Sequence, residues 1–128
     1  HRVGVAPEDA VALANLIAAS PAVALAGVFT HLAVSEAATN DFTRLQLDRF
    51  DAALAALAKA GHQPPVVHAA NSAGAILHPS ARRDVVRTGI AIYGLPPSPG
   101  MASQCSALQP ALSLHAQVSF VKRVRAGD

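Results

Sequence analysis

From Leu25 to Leu95 the sequence sets short apolar runs against stretches of helical character, and each apolar run stops at polar or small residues. Leu25-Ala26-Gly27-Val28-Phe29 ends on Thr30 and His31. Val66-Val67-His68-Ala69 leads into Asn71-Ser72, and Asp84-Val85-Val86-Arg87 leads into Thr88-Gly89-Ile90. Short runs bounded in this way read as buried strands. Between the first two lies the plainest helix of the chain, with Leu47, Phe50, Leu54 and Leu57 at helical spacing. Thr39 or Asn40 caps its start, Gly61 falls where a left-handed cap belongs, and Pro64-Pro65 forbids continuation. Strand then helix, repeated, predicts an α/β fold with a parallel sheet, open or closed into a barrel. Such folds gather their sites at the carboxyl ends of the strands, where the polar residues gather here.

The flanks extend this pattern and then leave it. Val3-Gly4-Val5 is a short apolar piece. Pro7, followed by Glu8 and Asp9, opens a helix whose first-turn charges suit the helix dipole. Val11, Leu13, Leu16 and Ile17 give it an apolar face until Ser20-Pro21 ends it. Ser72 to His78 reads as a short helical turn closed by Pro79, and Ile90 to Leu95 as the start of a helix or a tight loop. Pro96 to Gly100, rich in Pro, Ser and Gly, reads as a linker. Leu112 to Val121 alternates at period two, the mark of a half-exposed antiparallel strand. The expected organisation is therefore α/β over 1–95, a linker over 96–109, and the start of a β-rich domain over 110–128.

Composition narrows the function classes. Of 128 residues, 52% are hydrophobic and 14% charged, which excludes a disordered segment. The net charge is only +2 and aromatics are 4%, so no basic stripe with stacking residues offers itself to nucleic acid. Lys122-Arg123-Val124-Arg125 reads as a solvated strand end. The most apolar region, Val11 to Val34, is broken by Asn15, Ser20, Pro21 and His31, so no membrane span is expected. Cys105 is the sole cysteine; no internal disulfide can form, which fits a reducing cytoplasm. His1-Arg2-Val3-Gly4-Val5 is neither an initiator methionine nor a signal peptide, and both ends read as cut.

Taken singly, the polar strand-end residues each admit two readings. Asn71-Ser72, between a strand and a helical turn, suits a phosphate or is an ordinary N-cap. Thr88-Gly89-Ile90 offers backbone N–H groups to a ligand or is a turn. Arg87 ends a buried strand and so needs a partner, either a ligand or a carboxylate such as Asp84. His31 and His68 are ligands or satisfied core residues, and Arg2 is functional or a surface charge. No spacing suits zinc, a nucleophile elbow, a Walker loop or a dinucleotide fingerprint.

Together these residues resemble the alanine racemases. The likeness runs through His1-Arg2-Val3-Gly4-Val5, Gly27-Val28-Phe29-Thr30-His31, His68-Ala69-Ala70-Asn71-Ser72-Ala73, Val86-Arg87-Thr88-Gly89-Ile90-Ala91-Ile92-Tyr93-Gly94-Leu95 and the exit to Lys122-Arg123-Val124. Thr88 and Ile92 depart from the pattern. The resemblance implies part of a TIM-type (α/β)8 barrel leading into the first strand of a C-terminal β-domain. It further implies a homodimeric, pyridoxal-phosphate-dependent enzyme that interconverts L- and D-alanine and supplies D-alanine for peptidoglycan. On this resemblance Ser72, with Asn71 beside it, and the backbone of Gly89 and Ile90 hold the cofactor phosphate. Arg87 faces the pyridine nitrogen, His31 packs on the ring, His68 partners Arg87, and Arg2 lies near the substrate carboxylate and the catalytic bases.

An arginine facing the ring nitrogen has a chemical consequence. A guanidinium accepts no proton, so the nitrogen opposite stays unprotonated and the ring is a weaker electron sink. That suits racemisation and discourages transamination. The family's Schiff-base lysine lies upstream and its tyrosine base in the partner's downstream domain. Lys59, Lys122 and Tyr93 sit in the wrong contexts to replace them. The chain alone is therefore expected not to racemise, and, with open sheet edges, to be unstable or aggregation-prone. A sharp two-state thermal unfolding of the monomer would count against that. Competing readings are a non-catalytic pyridoxal-phosphate barrel protein and a barrel decarboxylase or a racemase for another amino acid. The alternating exit strand disfavours the first, and Arg87 disfavours a decarboxylase.

Overall fold

The computed structural model describes residues 3–127. A 3-10 turn at Pro7–Asp9 runs into α1, Ala10–Ala19, which stops at Ser20 where the backbone turns extended. Only Ala14 of α1 is buried; Leu13 and Leu16 are exposed, so the apolar face expected there is largely open. Val3-Gly4-Val5 forms no strand and is exposed.

Strands β1, Val28–Phe29, and β2, Val67–His68, pair in parallel with Val28 opposite Val67 and Phe29 opposite His68. A parallel pair needs a crossover, and α2, Phe42–Lys59, supplies it. The approach of the strands depends on Gly27. A Cβ there would lie 2.8 Å from the Val66 carbonyl oxygen, which accepts the Val28 N–H at 2.9 Å. The third apolar run lies beside β2 but makes a single parallel bridge, His68 to Val85, rather than the expected strand. Asp84 explains the shortfall. Its carboxylate takes the Val67 N–H at 2.7 Å and its own N–H goes to the Val67 carbonyl, so side chain replaces ladder at that rung.

Helix α2 follows its sequence closely. The N-cap is Asp41, whose side chain makes no cap bond, rather than the expected Thr39 or Asn40. Asn40 Oδ1 accepts the Phe42 N–H at 2.9 Å from just outside the helix, and Leu47, Phe50 and Leu57 are buried. Gly61 takes φ +88, with Gly61 N–H donating to Ala58 and His62 N–H to Leu57, the paired bonds of a left-handed helix stop. The main core packs Leu32, Leu47 and Phe50 against Ala69, Ala70 and Ala81. A second cluster joins Ala73 to Met101 and Cys105. Ala73 belongs to α3, Ser72–Leu77, so the segment expected as a linker is in part packed against that helix. Met101 is 1% exposed.

The expected strand from Leu112 to Val121 does not form. Its residues are exposed and no strand among the described residues lies beside it; an alternating sequence makes a ladder only when given a partner edge. Among the described residues no helix is long and apolar enough to cross a membrane.

Candidate functional site

The carboxyl ends of β1 and β2, the start of α3 and the loop after Val85 meet at a cleft of about 320 Å3. It is lined by His31, Glu36, Asn71, Ser72, Arg87, Gly89 and Ile90, with Ala73 and Pro97 completing it. One side is a hydrogen-bonded cradle. Ser72 Oγ accepts the Gly89 N–H at 2.8 Å and the Ala91 N–H at 3.4 Å, which leaves the Ser72 O–H as a donor. The Gly89 N–H, expected to face a phosphate, is thus given to Ser72. Ile90 begins a 3-10 turn, Ile90–Tyr93, and its N–H belongs to the first-turn groups that lack an intrahelical acceptor.

Asn71 is the cap of α3. Its Oδ1 accepts the Gly74 N–H at 2.8 Å and the Ser35 O–H at 2.7 Å, and its Nδ2 donates to the Leu32 carbonyl. Its amide is engaged with the protein, so of the two readings the geometry favours the cap, and Asn71 acts by placing Ser72.

Arg87 occupies the other side. Its Nη2 donates to the Thr30 carbonyl at 2.9 Å and approaches the Ala69 carbonyl at 3.4 Å and His31 Nδ1 at 3.5 Å; its Nη1 meets His68 Nδ1. The guanidinium carbon stands 5.1 Å from the centre of the Phe29 ring, on which His68 also stacks. Asp84 is not its partner, being engaged with Val67, and among the described residues no carboxylate pairs with Arg87. Because a guanidinium only donates, His68 Nδ1 must accept, and the neutral ring carries its proton on Nε2. Burial and then the Arg87 charge hold the His68 imidazole below its ordinary value, and burial lowers Arg87. Arg87 remains the charged member of the pair.

This sets a pH dependence. The unfolded His68 takes a proton near the ordinary histidine value of about 6.5, while the folded ring resists it, so the unfolded state binds more protons. The pair's contribution to stability is present above about 6.5 and is lost as pH falls toward the lowered folded value. Urea midpoints measured from about pH 7.5 down to 5 are expected to fall, and His68→Gln to flatten that slope. An unchanged slope in the variant would refute this assignment.

A family model, "Alanine racemase, N-terminal domain", matches residues 1–97. The chain belongs to the alanine racemase family. It is 49% identical over 126 residues to the alanine racemase of Symbiobacterium thermophilum and 44% identical over 131 residues to that of Thermobifida fusca. These matches cover 98% and 100% of the chain but 33% and 34% of those proteins, so the chain spans about a third of their length. Among solved structures, alanine racemase from Bacillus anthracis with bound L-Ala-P superposes with a TM-score of 0.83 at 32% identity, over 96% of this chain and 32% of that one. The enzyme from Streptomyces lavendulae gives 0.76 at 39% identity, over 86% and 30%.

Of the residues singled out by the resemblance to alanine racemases, His31, Asn71, Ser72, Arg87, Gly89 and Ile90 share one cleft, and His68 contacts Arg87. Arg2 lies outside the described residues. Sequence reasoning missed Ser35, Gln46 and His78. Ser35 is buried, bonds Asn71, and offers its carbonyl to His78 Nε2 at 2.9 Å. A polar residue inside the otherwise apolar spacing of α2 was the available signal for Gln46. Among the described residues no cluster of His, Cys, Asp or Glu is placed to hold a metal.

Proposed function

We propose that this chain forms the cofactor-facing part of a pyridoxal-phosphate-dependent alanine racemase, within a partial (α/β)8 barrel. The observation that carries the reading is the pairing, in one cleft, of a hydroxyl and backbone-amide cradle with an arginine held by neutral partners. The donor set fits the group. Gly89 leaves the rim bare, since a Cβ there would meet nothing closer than Ser72 Oγ at 4.0 Å. Ser72 O–H and Ile90 N–H would hold the phosphate, with Gly89 fixing the serine rotamer. Arg87 would face the ring nitrogen, and His31 the ring.

When bound, the cofactor supplies the electron sink that acidifies the substrate Cα–H. Arg87 donates and never accepts, so it keeps a proton off the atom it faces. His68, neutral and accepting at Nδ1, keeps Arg87 in place without neutralising it. Arg2 is assigned, by the family resemblance, to the neighbourhood of the substrate carboxylate and the catalytic bases. The homodimer, the substrate alanine, the supply of D-alanine to peptidoglycan, a cytoplasmic location and the β-domain beginning near 110 belong to this reading. Arg87, rather than a carboxylate, favours a racemase over a decarboxylase.

The test is an exchange of segments. The matching third of the Symbiobacterium thermophilum enzyme is replaced by this chain, and D-alanine formation from L-alanine is followed. Racemisation is expected. A soluble, cofactor-loaded exchanged enzyme that forms no D-alanine would sink the reading.

A further inference from the structure

The geometry points to Gln46 as a positioning residue for Arg87, acting through the loop that follows β1. Gln46 stands on α2 beside the core residue Leu47, so its backbone is anchored. Its side-chain amide reaches across to the loop and makes three bonds. Oε1 accepts the Ala33 N–H at 3.1 Å, and Nε2 donates to Thr30 Oγ1 at 3.0 Å and to the His31 carbonyl at 2.8 Å. The residues so held are the ones the site uses. The Thr30 carbonyl accepts from Arg87 Nη2 at 2.9 Å, and His31 stands 3.5 Å from the same nitrogen.

The last ladder bond to β2 is Thr30 N–H to the His68 carbonyl at 3.2 Å, and β1 ends at Phe29, so the loop beyond Thr30 has no ladder to fix it. One primary amide supplies both a donor and an acceptor, and so satisfies the strand-end groups that the sheet leaves unpaired. Without it Thr30 is held only through its N–H, and the peptide that carries its carbonyl loses its hold at the His31 side. The planar guanidinium, which needs its acceptors at fixed positions, turns with it. His68 sits on the other arm of that fork and feels the turn. The inference deepens the proposed racemase reading and rests on it for its catalytic consequence, but the chain of contacts from Gln46 to His68 stands apart from it.

Two variants separate this from simple loss of stability. Gln46→Met keeps the length and removes both functions of the amide. Gln46→Glu keeps the acceptor for Ala33 and, at neutral pH, sets an anion against the His31 carbonyl. Amide hydrogen exchange is followed by mass spectrometry on the chain and within the exchanged racemase, and the nitrogen signals of 15N-histidine are recorded on the chain without cofactor. In Gln46→Met the Ala33 amide is expected to exchange at least about tenfold faster while Gly74, held by Asn71, is unchanged. The His68 Nδ1 signal is expected to move in both variants, and Ala33 to stay protected in Gln46→Glu. In the exchanged racemase kcat is expected to fall about tenfold or more in both variants with KM nearly constant, the size typical of a supporting hydrogen-bond partner. If Ala33 and Gly74 accelerate together, or the His68 signal stays in place, the proposal is overturned. If the exchanged enzyme carrying Gln46 forms no D-alanine, the racemase reading fails, while the exchange and nitrogen measurements still decide the positioning role.

Discussion

Replacing Arg87 with glutamate in the exchanged racemase is expected to lower D-alanine formation by about a hundredfold or more, the scale seen when one preorganised polar group at a reacting centre is lost. It is also expected to raise the release of pyruvate from alanine. Both effects follow from the surroundings of this side chain. The structure gives Arg87 two carbonyls and a neutral imidazole, and no carboxylate among the described residues. Its charge is therefore not already neutralised by the protein, and it can set the protonation of what it faces. On the proposed reading, in which residue 87 would face the ring nitrogen, a glutamate would invite a proton to that nitrogen, strengthen the electron sink and open the way to transamination. Folding should suffer too. Arg87→Ala strands the Thr30 carbonyl and the His68 nitrogen, and is expected to destabilise by about 2 kcal/mol in urea titrations. Arg87→Lys should fall between, since one ammonium cannot serve both arms of the fork. A glutamate variant that racemises at the parental rate with no added pyruvate would remove Arg87 from the mechanism.

Gly94→Ala is expected to be the most damaging single methyl in the chain. Gly94 has φ +76, and a Cβ built there would lie 1.9 Å from the Gln109 carbonyl oxygen and 2.2 Å from its carbon. The opposing atoms are backbone, so no rotamer change relieves the overlap. The left-handed conformation alone costs about 1–2 kcal/mol for an L-residue. Relief requires residues 109–110 to move, which breaks the bond from Ala111 N–H to the Tyr93 carbonyl. The sum is expected to reach about 3–4 kcal/mol, at the upper end for point substitutions. Gly61→Ala is the control, since φ is +88 there but nothing lies within 4 Å of the added methyl. It should show the conformational part alone, about 1–2 kcal/mol. Limited proteolysis should place the extra damage after residue 108. Equal loss in the two variants would refute the steric argument.

Legibility in the sequence tracked the number of independent signals. At α2 the apolar spacing, Gly61 and Pro64-Pro65 all agree, and the helix forms where they say, with its N-cap at Asp41, just past the expected Thr39 or Asn40. The apolar runs carried one signal each, and what they formed was decided by neighbours. Leu25–Phe29 shrinks to a two-residue strand, and Asp84 cuts the third run to one bridge. Leu112–Val121 alternates correctly for a strand, but alternation specifies which face to bury and not what lies alongside. The strand-end residues of the site were legible as an ordered set. Gln46, Ser35 and His78 were not, because their partners lie far along the chain, as His78 lies 43 residues from Ser35. Pro96 to Gly100 looks solvated by composition, yet it delivers Met101 to a buried position.

That delivery has a consequence for where a functional unit ends. A six-residue helix such as α3 is too short to hold itself. It is wedged instead, with Gly74 close enough to Leu32 that a Cβ would meet its Cδ1 at 2.8 Å, and with Ala73 backed by Met101 and Cys105. The family match stops at residue 97. A domain excised at that boundary would keep every residue of the cleft and lose the buttress behind Ser72. The packing that supports the Ser72 end of the cleft therefore runs on to Leu108, past the last residue that the family model matches.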